Sequence, residues 1–163
     1  MKYALIRSED IANGPGIRVS IYVQGCSHHC EGCFNPETWD FNGGRIFNNR
    51  IKAKFLELAK EKNIVGFSIL GGEPLQQGKD MLDLVKSMKE EYPDKTIWMW
   101  TGYTYEDLDD EQLEIVSYID ILVDGKFIKS QRCPNKRFKG SANQRIIDIK
   151  KTLEAGKVQL SNW

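Results

Sequence analysis

The regular exchange of short strand-like runs with helix-like stretches constrains this chain of 163 residues more than any other feature. Arg18 to Gly25 alternates and is rich in β-branched and aromatic residues, the pattern of a strand. Asn48 to Lys62 places Ile51, Phe55, Leu58 and Ala59 at helical spacing. Val65 to Leu70 is a short apolar run suited to a buried strand, and it ends in Gly71-Gly72. Lys79 to Tyr92 sets Met81, Val85, Met88 and Tyr92 on one helical stripe, with the two methionines read as core. Thr96 to Thr101 is the next strand, stopped by Gly102. Asp109 to Tyr118 is a helix with acids in its first turn, where they suit the N-terminal dipole. Ile119 to Val123 is a strand ending at Asp124-Gly125, and Arg145 to Ile149 reads as a last one.

Strands separated by helices predict parallel pairing through right-handed crossovers. The repeats are too few for a closed eight-unit barrel of about 250 residues. The expected fold is therefore α/β, a partial, open β/α barrel of parallel strands. It forms one domain over 1–163, with a core of about 10–149 and a C-terminal tail of 150–163. Such folds build their sites from loops at the strand C-termini. Four loops fall at that edge: the cysteine-bearing loop after Gly25, Gly71-Gly72-Glu73-Pro74, Thr101-Gly102-Tyr103 and Asp124-Gly125.

The first of these loops holds Cys26, Cys30 and Cys33 at the spacing C-x3-C-x2-C. Thiolates are soft ligands that select iron–sulfur clusters, zinc or copper(I). A cubic cluster has four irons, so three cysteines leave one without a protein ligand. An open metal position is where a cofactor or substrate can bind. Zinc is the competing occupant, since His28 or His29 could supply the fourth ligand of a closed structural site. Cys133 stands a hundred residues away and reads as an incidental thiol. Gly71-Gly72 lets the chain turn sharply and lets a ligand approach the backbone. Carbonyls there, with the Glu73 carboxylate close by, could accept hydrogen bonds from an ammonium group. Asn13-Gly14-Pro15-Gly16 reads as a turn before the first core strand.

Lys and Arg together number 23, as do Asp and Glu, so the overall charge gives no argument for nucleic acid. The charge is uneven along the chain. Six of the nine residues from Glu106 to Glu114 are acidic, and Gly125 to Gly140 holds six basic residues and no acid. Either run can be a plain solvated face. The basic one could also dock a partner or an anion. No run approaches the ~20 apolar residues of a membrane span, and the start of the chain lacks a long apolar stretch. The expectation is a cytoplasmic protein, where clustered cysteines bind metal or do redox chemistry more often than they form disulfides.

Together these residues resemble a known family. The cysteine triplet followed by Phe34, and then the Gly-Gly-Glu-Pro turn, is similar to the radical S-adenosylmethionine superfamily. Asn13-Gly14-Pro15-Gly16-Ile17-Arg18 resembles its activating enzymes of glycyl radical proteins. Cys33-Phe34-Asn35, Trp98 to Tyr103, Leu122 to Phe127 and Gly140 to Arg145 resemble the branch that serves anaerobic ribonucleoside-triphosphate reductase. The resemblance implies a 4Fe-4S cluster on Cys26, Cys30 and Cys33, and S-adenosylmethionine on the open iron. Gly32, Cys33 and Phe34 would line the adenosine, while Gly72, with Glu73 near, would meet the methionine amino group. One electron splits the sulfonium, and the resulting 5′-deoxyadenosyl radical takes hydrogen from a glycine of the large reductase subunit. An electron donor such as flavodoxin is implied. Many superfamily members carry an aromatic residue where this chain has Gly32, so an adenine-stacking role at that position does not transfer. Two other readings remain: an activase of another glycyl radical enzyme such as pyruvate formate-lyase, and a zinc-binding interaction module without catalysis.

Overall fold

A computed structural model describes residues 1–163. The elements in chain order are β1 (Lys2–Asp10), β2 (Ile17–Val23), β3 (Arg45–Ile46), α1 (Asn49–Leu58), β4 (Ile64–Gly71), α2 (Lys79–Glu91), β5 (Thr96–Trp100), α3 (Asp110–Ser117), β6 (Ile121–Asp124), β7 (Arg145–Asp148) and α4 (Ile149–Ala155). They form an α/β fold around one seven-stranded sheet of order β3-β1-β2-β4-β5-β6-β7.

The sheet is mixed, which corrects the expectation of parallel strands. Pairing is parallel from β2 through β4 and β5 to β6. It is antiparallel between β1 and β2, β1 and β3, and β6 and β7. Both flanks fold back without a crossover helix, and an antiparallel return needs none. β1 was not expected at all, because its residues alternate weakly and most are half-buried or exposed. The tail past Asp148 is also regular. It forms α4 and then returns along β7, with Asp148 N–H donating to Gln159 and Ser161 N–H donating to Ile146.

Side-chain alternation divides the sheet into two faces. Val19, Ile21 and Val23 of β2, Phe67 and Ile69 of β4, and Ile97 and Met99 of β5 join helix residues Phe55, Met81, Leu84, Val85, Met88 and Ile115 in one buried cluster. Burying a side chain of this size contributes about 1.5–3 kcal/mol, so this layer supplies most of the driving force for folding. The opposite parity of the same strands presents Arg18, Ser20 and Tyr22, then Ser68 and Leu70, then Trp98 and Trp100. Trp98 packs there with Ile121, Val123 and Ile146 in a second, smaller cluster. The C-terminal Trp163 reaches this face, its ring 5.9 Å from that of Trp98.

Arg18 anchors that second face. It is fully buried. Its guanidinium donates to Ser68 Oγ at 2.8 Å, Thr96 Oγ1 at 3.1 Å, and the carbonyls of Phe67, Thr96 and Pro15. Burial pushes its pKa down to about 10. Gly14 must be glycine beside it: its φ is +106°, and a Cβ would stand 2.9 Å from Arg18 Cδ.

Candidate active site

The second face of the sheet opens into a cavity of about 460 Å³, within the range of small-molecule and cofactor sites. Loops after four consecutive parallel strands reach it, as the sequence predicts. Cys26, Cys30 and Cys33 line it from the loop after β2, and Gly71, Gly72 and Glu73 from the end of β4. Thr101 and Gly102 follow from β5 and Gly125 from β6.

The cysteine loop is fixed by main-chain bonds at both ends. Gly25 N–H donates to Thr38 O at 2.8 Å and Cys26 N–H to Trp39 O at 3.1 Å. Cys33 N–H closes a turn on Cys30 O at 3.1 Å, and Asn35 N–H points at Cys33 Sγ. Gly32, between the last two thiols, has φ +74°, a conformation that favours glycine. Burial pushes the Cys26 thiol up, against the main-chain N–H groups of His28 and His29. Burial also pushes the Cys30 thiol up, against the main chain of Phe127 and the charge of Lys126. Bare thiolates are thus disfavoured here, and a bound cation would restore them.

These residues fit an iron–sulfur cluster. All three soft donors line one cavity wall, and no three His, Cys, Asp or Glu side chains converge on a single-ion site. A cluster takes one thiolate per iron and needs the first arrangement rather than the second. The two histidines are otherwise engaged. His28 Nε2 lies 2.9 Å from Glu73 Oε2, and the His29 ring stacks on Trp39 with centroids 4.7 Å apart.

Glu73 is more than a neighbour of the Gly-Gly turn. It is 1% exposed and both carboxylate oxygens are fully used. Oε1 accepts from Leu75 N–H at 3.0 Å and Thr101 Oγ1 at 2.8 Å. Oε2 accepts from Gly102 N–H at 2.8 Å and pairs with His28. One side chain thereby holds three of the site loops in register. Gly72 N–H is tied to Val23 O at 2.8 Å, while its carbonyl accepts no hydrogen bond within the protein. A Cβ at Gly72 would stand 2.5 Å from Gly25 O, so the two loops touch through main chain alone.

The chain matches known proteins along nearly its whole length. Residues 12–147 match the family model described as a 4Fe-4S single cluster domain. The chain is 43% identical over 150 residues to the anaerobic ribonucleoside-triphosphate reductase-activating protein of Vibrio cholerae, covering 90% of this chain and 97% of that one. Proteins of the same name from bacteriophage T4 and Escherichia coli K12 are 42% and 39% identical. These matches cover 90% and 92% of this chain, and 93% and 100% of theirs. The chain belongs to the family of anaerobic ribonucleoside-triphosphate reductase-activating proteins.

Sequence reasoning missed several walls of this cavity. Arg7, Asn13 and Tyr22 line it beside Trp39, Trp100 and Phe138. Tyr22 could have been found from the strand parity that it shares with Arg18. Arg7 could not, because β1 had no clear signal. Phe34 is 56% exposed at the rim, its ring centroid 5.1 Å from that of Phe127 with Arg132 over it. Gly140 leaves room for both rings, since a Cβ there would meet them at 3.0 and 3.1 Å. The acidic run is spent on local structure: Asp109 caps α3, Glu106 pairs with Arg145 and Glu114 with Lys86. Cys133 lies outside the cavity lining. No helix is long and apolar enough to cross a membrane.

Proposed function

We propose that this protein is the radical S-adenosylmethionine activase of an anaerobic ribonucleoside-triphosphate reductase, acting in the cytoplasm. The observation that carries the reading is the convergence of three thiols and the Gly71-Gly72-Glu73 turn on one cavity, in a chain of this family. Cys26, Cys30 and Cys33 would each hold one iron of a 4Fe-4S cluster. When bound, the cluster and S-adenosylmethionine supply a one-electron cleavage that yields a carbon radical able to take hydrogen from glycine.

The chain's own residues bind, orient and shield. The Gly72 carbonyl, which has no partner within the protein, would accept a hydrogen bond from the methionine ammonium. Glu73, with its oxygens already used, contributes by fixing that turn against Thr101 and Gly102. Cys33 and Phe34 would form the wall suited to adenosine, while Gly32, expected there too, lies outside the cavity lining and would act through the turn that sets Cys33. Leu70, Trp100 and Phe138 present apolar surface that excludes water from the reacting carbon. The sheet, covered by helices on one face alone, serves as a partial barrel of the radical S-adenosylmethionine type. Its uncovered face is the entry for a glycine segment of the large reductase subunit.

Anaerobic reconstitution with iron and sulfide should give a brown protein that forms 5′-deoxyadenosine on reduction. With the reductase it should also yield a glycyl radical signal in electron paramagnetic resonance. A colourless product that forms no deoxyadenosine overturns the proposal.

A further inference from the structure

Phe138, Lys139 and Gly140 line the thiol cavity from a loop that is stitched at its base. Cys133 N–H donates to Gly140 O at 3.1 Å, and Arg132 bridges to Ser141. Residues 134–137 of this loop are exposed, whereas Phe138 sets its ring against the sheet, on Trp98. Phe138 has φ +63°, a left-handed conformation that a residue with a side chain adopts at a cost. Such a residue persists only where its surroundings over-determine it. Here Trp100 Nε1 donates to its carbonyl at 2.8 Å. Its ring meets Trp98 edge-on, with centroids 5.1 Å apart, and Trp163 at 6.2 Å. Trp98 is a firm platform, buried in the sheet with the Arg18 guanidinium 5.7 Å from its ring. Trp163 closes the triangle, 5.9 Å from Trp98, yet it is exposed and lies outside the cavity lining. The return along β7 brings it there, through the Ile147–Leu160 bridge and the bond from Ser161 N–H to Ile146 O at 2.8 Å. An edge-to-face pair is comparable in size with the cost of one left-handed residue, so losing the Trp163 contact shifts where Phe138 sits.

We infer that Trp163 is a positioning residue for the radical reaction, acting from outside the cavity by holding Phe138 in place as one of its walls. The inference rests on the proposed activity, in which the glycine must be the first hydrogen donor that the carbon radical meets. A displaced wall admits small donors from solution. The hydrogen atom then comes from a buffer thiol, which becomes a thiyl radical, and the glycine keeps its own. The loss appears as deoxyadenosine formed without a glycyl radical. Cleavage itself depends on the thiols and the Gly71-Gly72-Glu73 turn, none of which Trp163 touches, and is spared.

The test compares reconstituted wild type, Trp163→Ala and Trp163→Phe, with dithionite as reductant, dithiothreitol present and the large reductase subunit as substrate. In Trp163→Ala the deoxyadenosine formed per glycyl radical should rise about threefold or more, the scale of one lost aromatic pair. Its iron content, its KM for S-adenosylmethionine and its rate of deoxyadenosine formation should match wild type. Trp163→Phe keeps a ring against Phe138 and should restore most of the ratio. Amide hydrogen exchange on the unloaded proteins gives a readout free of catalysis: peptides over 134–142 should exchange faster in Trp163→Ala, and those over β4 and α2 should not change. An unchanged ratio, unchanged exchange over 134–142, or no rescue by phenylalanine overturns the inference. So does a loss of iron in Trp163→Ala, which would give Trp163 a merely structural role. Weaker binding of the reductase subunit to Trp163→Ala in calorimetry also overturns it, by making the exposed indole a docking contact. A wild type that forms no deoxyadenosine would strike the proposed activity instead, and the exchange result alone would then decide whether Trp163 holds Phe138.

Discussion

Replacing Glu73 by glutamine keeps the shape of the side chain and exchanges one oxygen for an amide nitrogen. Neither orientation of that amide is acceptable. If the nitrogen takes the Oε1 place it faces the Leu75 N–H, and in the Oε2 place it faces the Gly102 N–H. Main-chain donors cannot rotate away, so one buried N–H is left unpaired. An unpaired buried donor costs about 1–3 kcal/mol, and weakening the remaining charge-assisted bonds brings the expected loss to about 2–4 kcal/mol. Urea unfolding, followed by circular dichroism under anaerobic conditions, should show the midpoint fall with an unchanged slope. A second readout is iron retention, which should drop because His28, Thr101 and Gly102 lose their common acceptor. A loss under about 0.5 kcal/mol would refute the reasoning, since an isolated surface-like substitution costs no more than that. It would return Glu73 to the role of a ligand contact and no more.

Arg18→Lys should cost about 3 kcal/mol or more, because an ammonium cannot reproduce the forked set of bonds to Ser68, Thr96, Phe67 and Pro15. For a chain of this size the melting temperature should fall by about 6–12 °C, and an unchanged melt would contradict the anchoring role. Hydrogen bonding from Arg145 holds the Glu106 carboxyl below its ordinary value of 4.5. A depressed carboxylate stabilises the fold above the ordinary value, and that stability is lost as pH falls through the depressed one. Glu106→Gln should therefore be less stable than wild type at neutral pH, by under ~1 kcal/mol for so exposed a pair, with the gap closing in acid. A gap that widens on acidification would reverse the argument. Cys30→Ala should abolish cluster assembly by iron and sulfide analysis, since two thiolates cannot fix the cube. Cys133→Ala should leave it intact, and iron loss there would show that the wrong thiols were assigned.

Much of the site was legible because its signals are local. The spacing of Cys26, Cys30 and Cys33, the glycine pair before Glu73 and the breaks at Gly102 and Gly125 lie within a few residues of each strand end. The core stripe of α2 was equally plain, as Met81 and Met88 show by being fully buried. The direction of the outer strands was not legible. Periodicity reports which residues are buried, and it is the same whether a strand pairs parallel or antiparallel. β7 was found as a strand and misjudged in direction, and β1 was passed over. The fourfold role of Glu73 was hidden for a related reason: its partners His28 and Thr101 lie 45 and 28 residues away.

By itself, then, the order of residues determined that three thiols share one short loop and where most of the strands and helices lie, because both are written in short-range spacing. Only the folded sheet decided that Arg7, Tyr22, Trp100 and Phe138 share a cavity with the thiols. It also decided that Lys129, 98 residues downstream, pairs with Glu31 of the cysteine loop. Those neighbours are set by strand pairing and side-chain parity across the whole sheet, and no local pattern in the chain encodes them.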